Sequence, residues 1–219
     1  MHVRLKVCCI ASRAEADMAI AAGADALGLV AHMPSGPGPI SDEEIAEIAA
    51  AVPPPIATFL LTSESRSEEI AAHVERTGVN TIQIVSQISA EEVARLAGLC
   101  PNVRRVQVIH VEDRSALDLI TDYAPHVHAF LLDSGRPSAA VPELGGTGRS
   151  HDWAVSAEFV EQSPRPVFLA GGLKPGNVGE AVRQVCPFGV DLCTGVRTDD
   201  GLDAEKLNAF VAALRAPQP

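Results

Sequence analysis

The sequence predicts an α/β protein folded as one domain over residues 1–219, a (β/α)8 (TIM) barrel, on three observations. Short apolar or β-branched runs alternate with amphipathic stretches along the whole chain, and the alternation completes eight times. The runs are continuously apolar, as in parallel strands covered on both faces. No linker interrupts them, and 219 residues with 47% hydrophobic content suffice for one large core. An open doubly wound sheet is the alternative, but the first strand is not followed by a GxGxxG turn.

The first strand is read over residues 3–10, and Ser12-Arg13-Ala14-Glu15 then opens a helix over 14–22 with capping-box spacing. Strand 26–30 leads through a Gly- and Pro-rich loop to a helix opened by Ser41-Asp42-Glu43-Glu44, which stops before Pro53. Strand 56–61, helix 67–77, strand 81–85 and helix 90–99 follow, the last announced by Ser89-Ala90-Glu91-Glu92. The second half reads as strand 104–110, helix 115–123, strand 129–132, helix 153–162, strand 167–170, helix 175–185, strand 189–192 and helix 204–214. Residues 216–219 read as a frayed tail.

Composition excludes several classes. The net charge is −11, with one Trp, one Tyr and no basic run, so no nucleic-acid partner is expected. No apolar segment reaches the roughly 18 residues of a membrane span and no signal peptide opens the chain, so a cytoplasmic protein without a membrane partner is expected. Five cysteines without a CxxC pair favour reduced thiols over disulfides or a zinc site.

In such a barrel the chemistry sits at the C-terminal ends of the strands. Cys8 and Cys9 close the first strand, where successive side chains face opposite ways; one would point into the barrel and the other toward the helices, leaving at most one functional thiol. Asp133 ends the run "AFLLD", and burial against that wall would raise its pKa, as a general acid requires. Gly171-Gly172 and Thr194-Gly195 follow the last two strands, where open backbone N–H groups and a short helix can hold a phosphate. Gly146, Gly148 and Arg149 lie in a Gly-rich loop able to approach the same ligand. Taken singly, the cysteines read first as packing residues, Asp133 equally as a turn cap and the glycines as tight turns. His126 and His128 read as structural, and no metal site is expected.

Together these motifs resemble a family. "KVC" at 6–8, "GADALGLV" at 23–30, "LLD" at 131–133, "GGTG" at 145–148, "LAGGLKPGNV" at 169–178 and "GVDLCTGV" at 189–196 are similar, in order, to the phosphoribosylanthranilate isomerases. The resemblance implies a cofactor-free Amadori isomerase of tryptophan biosynthesis, a monomer or homodimer acting on a small phosphorylated substrate. By position it makes Asp133 the general acid, Cys8 the base and Asp191 a contact to sugar or amine. Three departures stand out. Cys9 replaces the family's glycine, the loop "AHMPSGPGPIS" lacks the arginine that holds the anthranilate carboxylate, with Gly38 near its position, and Gln83-Ile84-Val85-Ser86 replaces a Gln-Leu-His-Gly segment. His32 is the ionisable side chain beside that loop. A paralogue acting on another phosphosugar amine, or a non-catalytic phosphometabolite-binding barrel, are the alternatives. A metal-dependent epimerase or Schiff-base aldolase finds no clustered strand-end His and Asp, and Lys6 precedes the mouth.

Overall fold

A computed structural model describes residues 2–34, 36–135 and 151–216. Strands β1 (Arg4–Val7), β2 (Ala26–Val30), β3 (Ala57–Thr62), β4 (Thr81–Ile84), β5 (Arg104–His110), β6 (Ala129–Asp133), β7 (Val167–Leu169) and β8 (Gly189–Leu192) form a closed barrel in sequence order. All pair in parallel, and β1 closes the ring against β8 with Lys6 opposite Asp191. The surrounding helices are α1 (Arg13–Ala21), α2 (Asp42–Ala51), α3 (Ser67–Thr77), α4 (Ala90–Leu99), α5 (Leu119–Tyr123), α6 (Trp153–Gln162), α7 (Val178–Val185) and α8 (Ala204–Arg215).

The capping residues act where the sequence places them. Ser12, Ser41 and Ser89 accept from the backbone N–H groups of Glu15, Glu44 and Glu92, and Ser41 with Glu44 completes a reciprocal box. Gly78 ends α3 in the left-handed conformation at φ 65°.

The strands are apolar on both faces because each face meets a different core. Ala26, Val30, Phe59, Leu61, Val106, Val108, Ala129 and Leu131 fill the barrel interior. Their neighbours Leu27, Leu29, Leu60, Ile109, Phe130 and Leu132 pack under the helices. The period of two is present in space and hidden in the sequence.

Four elements differ from expectation. β1 ends at Val7, not residue 10. The fifth helix begins as a 3₁₀ turn, Arg114–Asp118, before α5. Helix α7 starts at Val178, not residue 175, because Asn177 Oδ1 accepts from the Lys174 N–H at 2.8 Å and folds the preceding residues into a turn. A small antiparallel hairpin, β9 (Arg197–Thr198) with β10 (Gly201–Leu202), precedes α8. Asp199 and Asp200 form its tip at φ 48° and 63°, the left-handed pair that suits a two-residue hairpin. Among the described residues no helix is long and apolar enough to cross a membrane.

Candidate active site

The C-terminal ends of the strands surround an open cleft lined among others by Cys8, Cys9, Gln83, Asp133, Gly171, Gly172, Asp191 and Thr194. Of the residues expected from sequence, Cys8, Asp133, Asp191, Gly171, Gly172 and Thr194 all face this one space.

Its floor is an ion pair. Lys6 points up the inside of β1, fully buried, and its Nζ donates to Asp191 Oδ1 at 2.9 Å while lying 5.3 Å from the centre of the Phe59 ring. Burial disfavours the ammonium, but Asp191 and the neighbouring thiols outweigh it and hold Lys6 above the ordinary lysine range. Burial likewise raises the Asp191 carboxyl, with Lys6 opposing. The Cys8 thiol sits beside this ammonium. Both Cys8 Sγ and Lys6 Nζ crowd Gly28, 2.7 Å and 2.9 Å from where a Cβ would stand, so glycine alone leaves room for the pair. A hydrogen bond with the Cys9 thiol, the Lys6 charge and the Cys9 N–H lower the Cys8 pKa against its own burial.

Cys9 does not face the helices. Both cysteines belong to the barrel-interior cluster and both line the cleft. Strand alternation fails because β1 has already ended, and Cys9 adopts φ 61°, which turns its side chain back over the mouth. The neighbouring Cys193 and Cys8 thiols, with burial, hold its thiol well above the ordinary range. Arg197 fixes this turn from behind. Its guanidinium donates to the Cys8 carbonyl at 3.3 Å, to the Cys9 carbonyl, and to Glu15 at 3.2 Å. Glu15 also accepts from the Ala11 N–H at 3.0 Å and the Leu202 N–H at 2.8 Å, so the carboxylate read as a helix cap ties three segments together.

Across the cleft, Asp133 ends β6 and accepts from the Ser134 N–H at 2.7 Å. Its side chain is partly exposed rather than buried, so the enclosure expected from "AFLLD" is absent. The apolar residues of that run are buried beneath it, and the aspartate stands at the rim. His151 approaches from the β6 loop, with Nε2 2.7 Å from Ser156 Oγ, and burial lowers its pKa, leaving a neutral imidazole near Asp133.

The two phosphate-type turns are interlocked. Gly171 and Gly172 adopt φ 81° and 63°, and the Gly172 carbonyl accepts from Asn177 Nδ2 at 3.0 Å. A Cβ on Gly195 would meet the Leu173 carbonyl oxygen at 2.1 Å. Gly195 therefore works as a packing contact that lets the second turn, a 3₁₀ helix over Thr194–Val196, lie against the first. The remaining candidates Gly146, Gly148 and Arg149 lie outside the described residues.

The sequence profile described as N-(5'-phosphoribosyl)anthranilate (PRA) isomerase matches residues 5–213. A relative named N-(5'-phosphoribosyl)anthranilate isomerase 2, from Methanosarcina mazei, is 36% identical over 95% of this chain and 92% of its own. The Haloferax volcanii N-(5'-phosphoribosyl)anthranilate isomerase is also 36% identical, over 97% and 93%. Among solved structures, the phosphoribosyl anthranilate isomerase from Thermococcus kodakaraensis superposes with a TM-score of 0.81 at 29% identity, covering 99% of this chain and 100% of that one. The chain belongs to the PRA isomerase family.

Gly38, near the position of the expected arginine, has φ 83°, and a Cβ there would stand 2.6 Å from the Cys9 Cβ. The Pro37 carbonyl lies 3.6 Å from Cys9 Sγ. The two positions at which the sequence is read as departing from the resemblance, Cys9 and Gly38, thus pack against each other. His32 is exposed, is not part of the cleft lining, and offers only its carbonyl, to Ser63 Oγ at 3.1 Å. Gln83 is buried in the wall with Oε1 lacking a described partner. Sequence reading missed Arg197, Glu15 and Asn177 as builders of the site. Only the "KPGN" turn signal hinted at the last.

Proposed function

We propose that the protein is an aldose-to-ketose isomerase that converts N-(5'-phosphoribosyl)anthranilate by an Amadori rearrangement, serving tryptophan biosynthesis in the cytoplasm. The observation that carries this reading is the placement of a pKa-lowered Cys8 and a rim-exposed Asp133 around one cleft that also holds the paired Gly171-Gly172 and Thr194 turns. The turns present backbone N–H groups for the 5'-phosphate. Asp133 gives its proton to the ribose ring oxygen as the C1–O bond breaks, leaving a protonated imine between C1 and the aniline nitrogen. Cys8 thiolate then removes the C2 proton, and the electron pair moves into the imine. The resulting enol-amine tautomerises to the ketose. Lys6 keeps the pocket wall positive beside the thiolate, and Asp191 anchors Lys6 while facing the sugar.

The test is turnover of PRA by the purified protein, followed as loss of substrate fluorescence. Cys8→Ala and Asp133→Asn should each lower kcat by about a hundred-fold or more. Unchanged turnover in either variant removes that residue from the mechanism. One observation favours a second substrate. The described lining on the second-loop side, Met33, Gly36 and Pro37, carries no cation to pair with an aryl carboxylate. Turnover of another phosphoribosylamine, with none of PRA, would select that reading.

A further inference from the structure

Three of the five free cysteines meet at the mouth of the barrel. Cys8 and Cys9 follow β1 and Cys193 follows β8, and Val7 lies opposite Leu192 in the pairing of those strands, so the three cysteines leave adjacent strand ends and line the same cleft. The other two are elsewhere: Cys100 is buried at the end of α4, and Cys186 is exposed at the end of α7. Among the described residues no three His, Cys, Asp or Glu side chains are placed to hold a metal ion. What the cluster does hold is a thiol beside a buried ammonium, with the thiol of the next residue and a third from the adjacent strand end lining the same open cleft.

A thiolate in that setting is the form of cysteine that hydroperoxides oxidise. An isolated one proceeds from sulfenic acid to the irreversible sulfinic acid, whereas a neighbouring thiol diverts it into a disulfide. Cys9 is in place to do this, and it is held there at a conformational cost. Its φ of 61° is a region that a Cβ disfavours and a glycine occupies freely, so packing alone does not account for a thiol at this position.

We propose that Cys9 and Cys193 form a thiol relay that removes oxidation from Cys8. A hydroperoxide transfers one oxygen atom to the Cys8 thiolate, giving the sulfenate and releasing the corresponding alcohol or water. The Cys9 thiol condenses with the protonated sulfenate, forming the Cys8–Cys9 disulfide and expelling water. Adjacent residues are held about 3.8 Å apart at Cα, shorter than the span most disulfides adopt, so this bond is strained and readily exchanged. Cys193, losing its proton to solvent, attacks Cys9 sulfur and displaces Cys8 as thiolate. The two-electron oxidation then rests on a Cys9–Cys193 disulfide that an external dithiol reduces.

The experiment titrates the protein with hydrogen peroxide until Cys8 has reacted, then reads tryptic peptides by mass spectrometry without reduction. Cleavage after Lys6, Arg13, Arg183 and Arg197 puts Cys8 with Cys9 in one peptide and Cys186 with Cys193 in another. The expected product is a cross-link between the two peptides through Cys9 and Cys193. In Cys193→Ser the reaction should stop at the first peptide, short of two hydrogens. In Cys9→Gly, a substitution that relieves the backbone, Cys8 should be trapped by dimedone and pass on to sulfinic acid. Dithiothreitol should restore turnover in the wild type and fail to do so in Cys9→Gly. Sulfinic acid on Cys8 of the wild type, a Cys8–Cys193 bond, or reaction confined to Cys186 would each overturn the relay. The chemistry of the thiols does not depend on the isomerase reading, but the recovery of turnover does. The described disulfides together with full turnover by Cys9→Gly carrying a sulfinic Cys8 would uphold the relay and remove Cys8 as the base.

Discussion

The β1/β8 corner and the β6 rim each carry one of the proposed proton-transfer groups, and they are built in opposite ways. In the corner, Lys6, Cys8, Cys9 and Asp191 are all buried, and Arg197 with Glu15 clamps the turn from outside the barrel. At the rim, Asp133 is partly exposed and accepts from the N–H of the next residue. The difference follows from what each group must do. A thiolate in an apolar wall is stable only where positive charge and donors are fixed around it before the substrate arrives. An acid that gives up a proton and regains it each cycle gains from contact with water.

The comparison breaks hardest at Lys6. Lys6→Met leaves the Asp191 carboxylate buried without its partner, and removing one member of a buried ion pair costs about 3–5 kcal/mol. Urea unfolding should show that loss, while Asp133→Asn at the rim should stay within about 0.5 kcal/mol of the wild type. Equal costs at the two positions would mean the corner is no more preorganised than the rim.

Next in size is the clamp. Arg197 is 8% exposed and Glu15 14% at the side chain. Arg197→Met should cost about 2–3 kcal/mol and lower kcat more than it raises KM, because it releases the carbonyls that hold Cys8 and Cys9 in place. Glu15 supplies a pH test of the same link. Burial pushes its carboxyl up, but Arg197 and the Ala11 and Leu202 N–H groups bring it below the usual range. A carboxyl depressed in the folded state stabilises above the unfolded value of about 4.3 and loses that contribution as pH falls through the folded value. Glu15→Gln should therefore lower stability at neutral pH and flatten its decline in acid. A parallel pair of stability curves would show that the link carries no ionic component.

Which residues reach the cleft was largely legible in the sequence, in the corner as at the rim, and the contacts that build the corner were not. An aspartate after "AFLL", and glycine pairs after the last two strands, announce themselves because strand ends and tight turns are local events. The corner is assembled from residues far apart in the chain. Arg197 reaches Glu15 across 182 positions, and Lys6 reaches Asp191 across 185. Cys9 was misplaced for a local reason: alternation applies to residues within a strand, and the strand stops two residues earlier. The eight-fold rhythm of the barrel was readable because each unit is short and separately capped.

A smaller effect tests whether Cys9 and Gly38 are one feature. Gly38→Ala sets a Cβ at φ 83° against Cys9 and should cost about 1–3 kcal/mol. In the Cys9→Gly background the 2.6 Å contact disappears, while the 3.2 Å approach to the Cα of residue 9 and the backbone strain remain, so the cost should fall without vanishing. A double-mutant cycle reads the coupling, and simple additivity would mean that the loop and the cysteine turn vary independently.

The smallest change expected is in the pH dependence of kcat/KM, which reports groups of the free enzyme. In the proposed mechanism Cys8 acts as thiolate, so the rate should rise with pH through its folded pKa and then level. That rise should lie below the ordinary thiol value of about 8.5, because the Cys9 thiol first and the Lys6 charge next hold Cys8 down. Cys9→Gly removes the leading cause and should move the rise upward, by about one unit or less, each unit corresponding to about 1.4 kcal/mol. Cys193→Ser, which alters a partner of Cys9 and not of Cys8, should leave it nearly in place. An unmoved profile in Cys9→Gly would assign the thiolate to Lys6 alone, and the buried corner would then owe its poise to one charge rather than to the turn that carries Cys9.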